Sequence, residues 1–236
     1  MPQIGGAFWE IAGFVPLGID GSRSTAPSTT SNEAAFCARG HGHTAKYRRK
    51  KSKGQRRKRN QANPPRPQEP QAWITLLWHL GLRLPWLWRL GSSNSSERAH
   101  ALDMLQSGNF HENVLFVGDA GFVGYPFWSA ILCAGKNFLV RVGANVSLLR
   151  ELNVYSVQRD GLVLCWPKKL QHEQPPLRLR LVKVRLGKTA MWMLTSVRNK
   201  RQLSAAQLTK FYRLRWGIEV SQPDYPSSAR LYQLAA

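Results

Sequence analysis

Carboxylates are scarce in this sequence: 13 Asp and Glu stand against 34 Lys and Arg in 236 residues, a formal net charge of +21 at pH 7. An excess of that size suits a polyanion such as a phosphate backbone, and small acidic or neutral substrates do not call for it. Cysteine is scarce too. Cys37, Cys133 and Cys165 are odd in number and widely spaced, so no disulfide framework is expected and a reducing cytoplasm fits. Long apolar runs are missing. The longest, 72–88, is broken by His79, Gly81, Arg83 and Pro85 and falls short of the ~20 residues of a spanning helix. The first residues, MPQIGGAFWE, lack a basic region and hold Glu10, so no signal peptide is expected. Gly-x-x-x-x-Gly-Lys-[Ser/Thr] is also absent, so nothing supports ATP use. What is present is apolar content of 43% with 10% aromatics, which argues against a disordered chain. The expectation is a soluble, intracellular protein with no membrane segment.

Along the chain, 14–19 (FVPLGI) reads as a buried strand stopped by Asp20-Gly21, and 22–32 as a Ser/Thr-rich loop. The charge centre follows: nine of the twelve residues from 48 to 59 are basic, namely Arg48, Arg49, Lys50, Lys51, Lys53, Arg56, Arg57, Lys58 and Arg59. Such a block repels itself and is expected to be mobile until an anion binds. Four prolines in 63–70 predict an extended linker. Residues 73–90 suggest a hairpin with Trp73, Trp78, Trp86 and Trp88 as its core. The spacing then predicts a helix over 92–107, a strand over 114–117, a helix over 125–134 and a strand over 137–142, which together make a mixed α/β core. Strands are expected at 154–157, 162–166, 177–186 and 191–197, with a hairpin turn at Asp160-Gly161. A Ser204-capped helix runs to Val220. The tail from 221 to 236 has no periodicity.

Because carboxylates are few, their placement informs. Asp20 and Asp119 each follow a short apolar strand and precede a glycine or an Ala-Gly pair, and Glu219 ends a helix rich in Arg and apolar residues. Strand ends in an α/β sheet are where sites are built. Three converging carboxylates would suit hard divalent cations, and two such ions serve phosphodiester displacement. On spacing alone, an Asp-Gly pair at a strand end is more often a turn. Zinc is not supported, since Cys37, His41 and His43 have no fourth ligand at usual spacing. The remaining histidines (79, 100, 111 and 172) have no Ser or Cys partner and read as packing or surface residues.

Three motifs in order carry a resemblance. They are Ile19-Asp20-Gly21-Ser22, then Asp119-Ala120-Gly121-Phe122 with Tyr125 beyond, then Tyr212-x2-Arg215-x3-Glu219. With these the chain resembles the DDE transposases of the insertion-sequence-4-like group, the holders of the YREK signature, over about residues 8–220. The resemblance implies a ribonuclease-H-like mixed sheet with helices and a β-rich insertion before the last catalytic helix. It implies Asp20, Asp119 and Glu219 as catalytic, metal-binding residues for two Mg²⁺ or Mn²⁺ ions. It also implies Tyr212 and Arg215 as DNA contacts near the cleaved end, DNA as transposon ends and target, a homodimer in a synaptic complex and a nucleoid-associated cytoplasmic location.

The signature lysine would fall at 226, which is Pro226, and only 19 residues precede Asp20. The resemblance therefore implies truncation at both ends. The resulting plan is a catalytic core over 1–144 with a mobile loop at 48–70, a β-rich insertion over 145–200, the Glu-bearing helix over 201–220 and a non-homologous, disordered tail over 221–236. In the insertion, Arg178, Arg180, Lys183 and Arg185 line one side of an alternating strand, which either tracks a phosphate backbone or is a solvated face. The basic block at 48–59 is expected to bind phosphates without reading sequence. Two functions stand: metal-dependent transposon-end cleavage and strand transfer, impaired by truncation, or a catalytically dead remnant that binds DNA through charge. A ribosomal-type RNA binder leaves the motifs unexplained.

Overall fold

A run of five apolar or small residues with no polar side chain, VLFVG, suits a strand covered on both faces. Val114–Gly118 is that strand, and each of its residues is buried. It is the centre of a computed structural model that describes residues 8–36, 70–142, 154–157, 161–166, 175–187 and 189–221. The elements in chain order are β1 (Val15–Thr25), α1 (Thr30–Phe36), β2 (Gln71–His79), β3 (Leu84–Gly91), α2 (Glu97–Ser107), β4 (Val114–Gly118), a single 3₁₀ turn (Ala120–Phe122), α3 (Tyr125–Cys133), β5 (Asn137–Val142), β6 (Val154–Val157), β7 (Leu162–Trp166), β8 (Leu177–Leu186), β9 (Thr189–Thr195) and α4 (Ala205–Ser221).

The strands form one sheet in the order β3-β2-β1-β4-β5-β9-β8-β7-β6. β1, β4 and β5 are parallel, with Gly18 opposite Val117 and Gly118 opposite Val140. β9 then joins β5 antiparallel, and β8, β7 and β6 follow antiparallel. On the other side, Leu80 N donates to Pro16 O and Ala26 N to Pro70 O, so β2 runs opposite to β1. An antiparallel β3-β2-β1 meander feeding parallel β4 and β5 through helices is the ribonuclease-H-like sheet. The segment expected as an insertion continues this same sheet, with β9 hydrogen-bonded to the core strand β5.

The chain divides into two units, one of 22–74 with 90–95, the other of 1–21, 75–89 and 96–236. In the smaller, Ser93 N donates to Phe36 O and the Arg23 guanidinium lies 4.0 Å over the Trp73 ring. The larger holds two cores, one on each face of the sheet. On the first, Val15, Leu17, Ile19, Val114, Phe116, Phe138 and Val140 meet Ala101 and Met104 of α2 and Phe127, Trp128 and Ile131 of α3. On the second, Phe14, Leu115, Val117, Leu139, Met191 and Met193 meet Leu208, Phe211 and Tyr212 of α4. Strict two-residue alternation along β1, β4 and β5 divides them.

Several boundaries agree with the sequence pattern, β5, β6, β7 and β8 to the residue. Three expectations are corrected. β1 does not stop at Asp20-Gly21 but continues to Thr25, and α1 occupies part of the expected loop. The reason is the neighbouring strand: β2 supplies partners beyond the point where β4 ends. The hairpin tryptophans are not a buried core, since Trp88 is 60% exposed and Trp78 and Trp86 are half-buried against the two clusters. The basic residues of β8 do not share one side. Arg178 and Arg180 fall on the parity of Val182 and Val184, which pack toward α4. Lys183 and Arg185 fall on the parity of Leu179 and Leu181, which pack in the first core. Arg180 is fully buried.

Candidate active site

The pairing register places two of the three expected carboxylates together. Gly18 lies opposite Val117, so two residues further Asp20 stands beside Asp119, on strands about 4.8 Å apart. Both follow the alternation of residues facing α4, Asp119 through an extended backbone of φ −84° and ψ −169°. Asp20 lies inside β1, just past the end of its pairing with β4, and not at a strand terminus. Each carboxylate is fixed by a neighbouring amide: Gly21 N donates to Asp20 Oδ1 at 3.0 Å, and Gly121 N donates to Asp119 Oδ1 at 2.7 Å. The second bond caps the 3₁₀ turn. A Cβ on Gly121 would lie 2.8 Å from Asp119 Oδ1, so a side chain there would crowd the carboxylate.

The same register adds a residue that the sequence did not single out. Gly118 lies opposite Val140, so Arg141 is next in line to Asp119. It shares the parity of Leu139 and therefore the α4 face. The row across β1, β4 and β5 is thus Asp20, Asp119, Arg141. The pattern NFLVRV held the signal, since one basic residue interrupts an otherwise apolar strand.

The helix α4 covers this face. Its start is a capping box, in which Ser204 N donates to Gln207 Oε1 at 2.6 Å and Gln207 N to Ser204 Oγ at 3.3 Å. Leu208, Phe211, Tyr212 and Arg215 are its buried residues, Tyr212 at 0% and Arg215 at 3% exposure. Arg215 lies 5.4 Å over the Tyr212 ring. Glu219 lies in the helix four residues beyond Arg215 and seven beyond Tyr212, so its position continues their row; its side chain is outside the described residues. Tyr212 and Arg215, expected as DNA contacts, are interior residues here. The outer side of the helix carries Arg213 and Trp216, the latter 41% exposed. With Arg141, Gly187, Thr189 and Met191 they line an open cleft of about 630 Å³.

Buried polar groups concentrate on this side. Arg180 donates from Nη2 to Leu203 O, just before the start of α4, and burial pushes its pKa down. Tyr212 Oη and Arg141 Nε are buried without a hydrogen-bond partner among the described residues. Among those residues no three His, Cys, Asp or Glu are grouped to hold a metal ion. The donors that are described, two aspartates level with each other on one face, are oxygen ligands of the type a hard divalent cation takes, so they fit such an ion. The basic residues at 48–59, and Pro226, lie outside the described residues. No described helix is long and apolar enough to cross a membrane.

The sheet is of ribonuclease-H-like order and carries its paired aspartates on the face covered by the helix of Tyr212, Arg215 and Glu219. The family model described as "Transposase DDE domain" matches residues 19–222, and the chain belongs to that family. No curated protein matches it. Among solved structures it is similar to the chain in "Cryo-EM structure of piggyBac transposase synaptic complex with hairpin DNA", at 12% identity and a TM-score of 0.44, over 87% of this chain and 39% of that one.

Proposed function

We propose that this chain is the catalytic core of a transposase of the insertion-sequence-4-like, YREK-bearing group, acting on DNA at transposon ends and at a target. The observation that carries the reading is the row of Asp20 and Asp119 at one register level, facing the helix that bears Glu219. Asp20, Asp119 and Glu219 would hold Mg²⁺ or Mn²⁺, two ions in the full reading. When bound, such ions supply the acidity that activates a water or a 3′-hydroxyl and stabilise the departing oxygen of the phosphodiester.

The chain's own residues supply the rest. The amides of Gly21 and Gly121 orient the two carboxylates. Arg141 and Arg213 line one cleft, and Arg141 is next in register to Asp119; their positive charge would hold a phosphate backbone there without reading bases. Tyr212 and Arg215 sit behind them, holding α4 against β4. The basic block at 48–59 and the net charge of +21 would add sequence-independent, salt-sensitive affinity. A homodimer and a nucleoid location belong to the same reading.

The test is conversion of supercoiled plasmid to open circles by the purified chain in Mg²⁺ or Mn²⁺. We expect metal-dependent nicking that falls by more than about 100-fold in Asp119→Asn, the upper end of the loss seen when even an outer partner of a metal site is removed. Salt-sensitive plasmid binding without nicking, unaltered by that substitution, would leave the second function, a DNA-binding remnant.

A further inference from the structure

Positive charge in the first turn of a helix is locally unfavourable, because the exposed N–H groups there already make that end positive. Arg98 occupies the first turn of α2, whose N-cap Ser96 makes no side-chain capping bond. The helix itself therefore gives no reason for an arginine at this position, and a broken local rule points to something outside it.

What Arg98 does is hold the turn that carries Asp119. Its Nε donates to Gly121 O at 2.5 Å, and its Nη1 lies 3.5 Å from where a Cβ on Gly124 would be. Gly121 is thus gripped at both ends of one residue. Its N–H is taken by Asp119 Oδ1 at 2.7 Å, and its carbonyl by Arg98. The hydrogen bond from Phe122 N to Asp119 O at 3.2 Å closes the same turn. Neighbouring Glu97 meets the other aspartate segment, its Cγ lying 2.5 Å from the place of a Cβ on Gly21. One helical turn therefore abuts both carboxylate-bearing segments from the face opposite α4.

We propose that Arg98 is a positioning residue for Asp119, setting the carboxylate through Gly121 without itself touching DNA or metal. The proposal rests on the reading of Asp119 as a metal ligand, and its tests separate the two. Removing the guanidinium frees the Gly121 carbonyl, so the turn can rotate and the amide that orients Asp119 Oδ1 loosens. An effect on the order of tenfold is the usual scale for losing an outer partner of a metal ligand.

The experiment uses the full chain as Arg98→Ala, Arg98→Lys and Gly121→Ala. Amide hydrogen exchange at Gly121 and Phe122 is the first readout, Mn²⁺ affinity by calorimetry the second and Tm the third. In Arg98→Ala we expect Gly121 exchange to quicken about tenfold and Mn²⁺ affinity to fall about tenfold while Tm stays put. Arg98→Lys, which keeps a donor for the carbonyl, restores part of both. Gly121→Ala weakens Mn²⁺ binding by crowding the carboxylate directly. Unchanged Gly121 exchange in Arg98→Ala overturns the proposal, as does unchanged Mn²⁺ affinity when the parent chain binds the ion. If the parent chain binds no Mn²⁺, the metal reading of Asp119 falls, and the exchange arm alone decides whether Arg98 sets the turn.

Discussion

The two faces of the sheet solve different problems. The first is closed by α2 and α3 over an apolar core in which the Trp128 indole stacks on Phe138 at 5.6 Å. Two of its buried polar groups are well paired: Trp128 Nε1 donates to Phe122 O at 3.1 Å, and His79 uses both ring nitrogens. The second is closed, among the described residues, by α4 and buries Tyr212, Arg180 and Arg215 among its apolar residues. There the Tyr212 hydroxyl and the Nε of Arg180 have no partner among the described residues. Both faces belong to one sheet, so the difference comes from what each must do. We expect stability to be concentrated on the face away from Asp20 and Asp119, and polar groups to be tolerated on the face those aspartates share.

The largest expected effect tests the stabilising half of that statement. Trp128 is wholly buried, stacked and hydrogen-bonded, so Trp128→Ala should cost about 3–5 kcal/mol by cavity formation and lost contacts. Denaturant unfolding followed by circular dichroism measures it. A loss below about 1 kcal/mol would mean that the first face is not the stabilising one.

Next comes a paired comparison along β8. Leu179 packs in the first core and Arg180, one residue on, turns to the second face. Leu179→Ala should cost about 2–5 kcal/mol. Arg180→Met removes a buried charge and one hydrogen bond to Leu203 O, and these terms oppose each other. The net change should stay within about 1 kcal/mol either way, since apolar replacement of buried charge is often neutral or stabilising. A loss from Arg180→Met as large as that from Leu179→Ala would show that the polar side of the sheet contributes to stability on the same scale as the apolar side.

How much of this was legible in the sequence follows from the range of the interactions. β5 and β7 were visible because a run such as NFLVRV or LVLCW, bounded by turn signals, is decided within a few residues. The end of β1 was not, because Asp20-Gly21 is a local turn signal and the strand that overrides it, β2, begins some fifty residues later. The carboxylates were legible from their motifs, and their neighbours were not. Arg141 joins Asp20 and Asp119 only through the register of three strands, and Arg98 only through a bond spanning 23 positions. The reading of β8 as one basic side failed at Leu181-Val182. Two successive apolar residues there mark the point where the strand's buried side changes from one face to the other, and the alternation of charges conceals the switch.

The smallest effect examines how firmly the hydrogen bonds of His79 hold a polar group buried on the first face. His79 Nε2 meets Trp9 O at 2.7 Å, and Leu82 N donates to His79 Nδ1 at 3.0 Å. Nδ1 is therefore the acceptor and Nε2 carries the proton, a neutral ring. Protonating Nδ1 would set it against the Leu82 N–H and place a charge among Trp9 and Trp86. Burial accordingly lowers the His79 pKa below the usual 6.5, with the bond to Trp9 opposing the shift. Because the folded pKa is depressed, the unfolded chain binds more protons just below pH 6.5. Stability is then full above that pH and declines as acid protonates the unfolded chain, until the folded pKa is passed. His100, whose Nδ1 lies 2.9 Å from Thr75 Oγ1 and whose pKa is lowered by burial, adds in the same sense. Unfolding curves at pH 7.5 and 5.5 should show a loss on acidification that shrinks in His79→Gln. An equal loss in both would mean that His79 takes up its proton in place, so that its two hydrogen bonds do not hold the ring neutral.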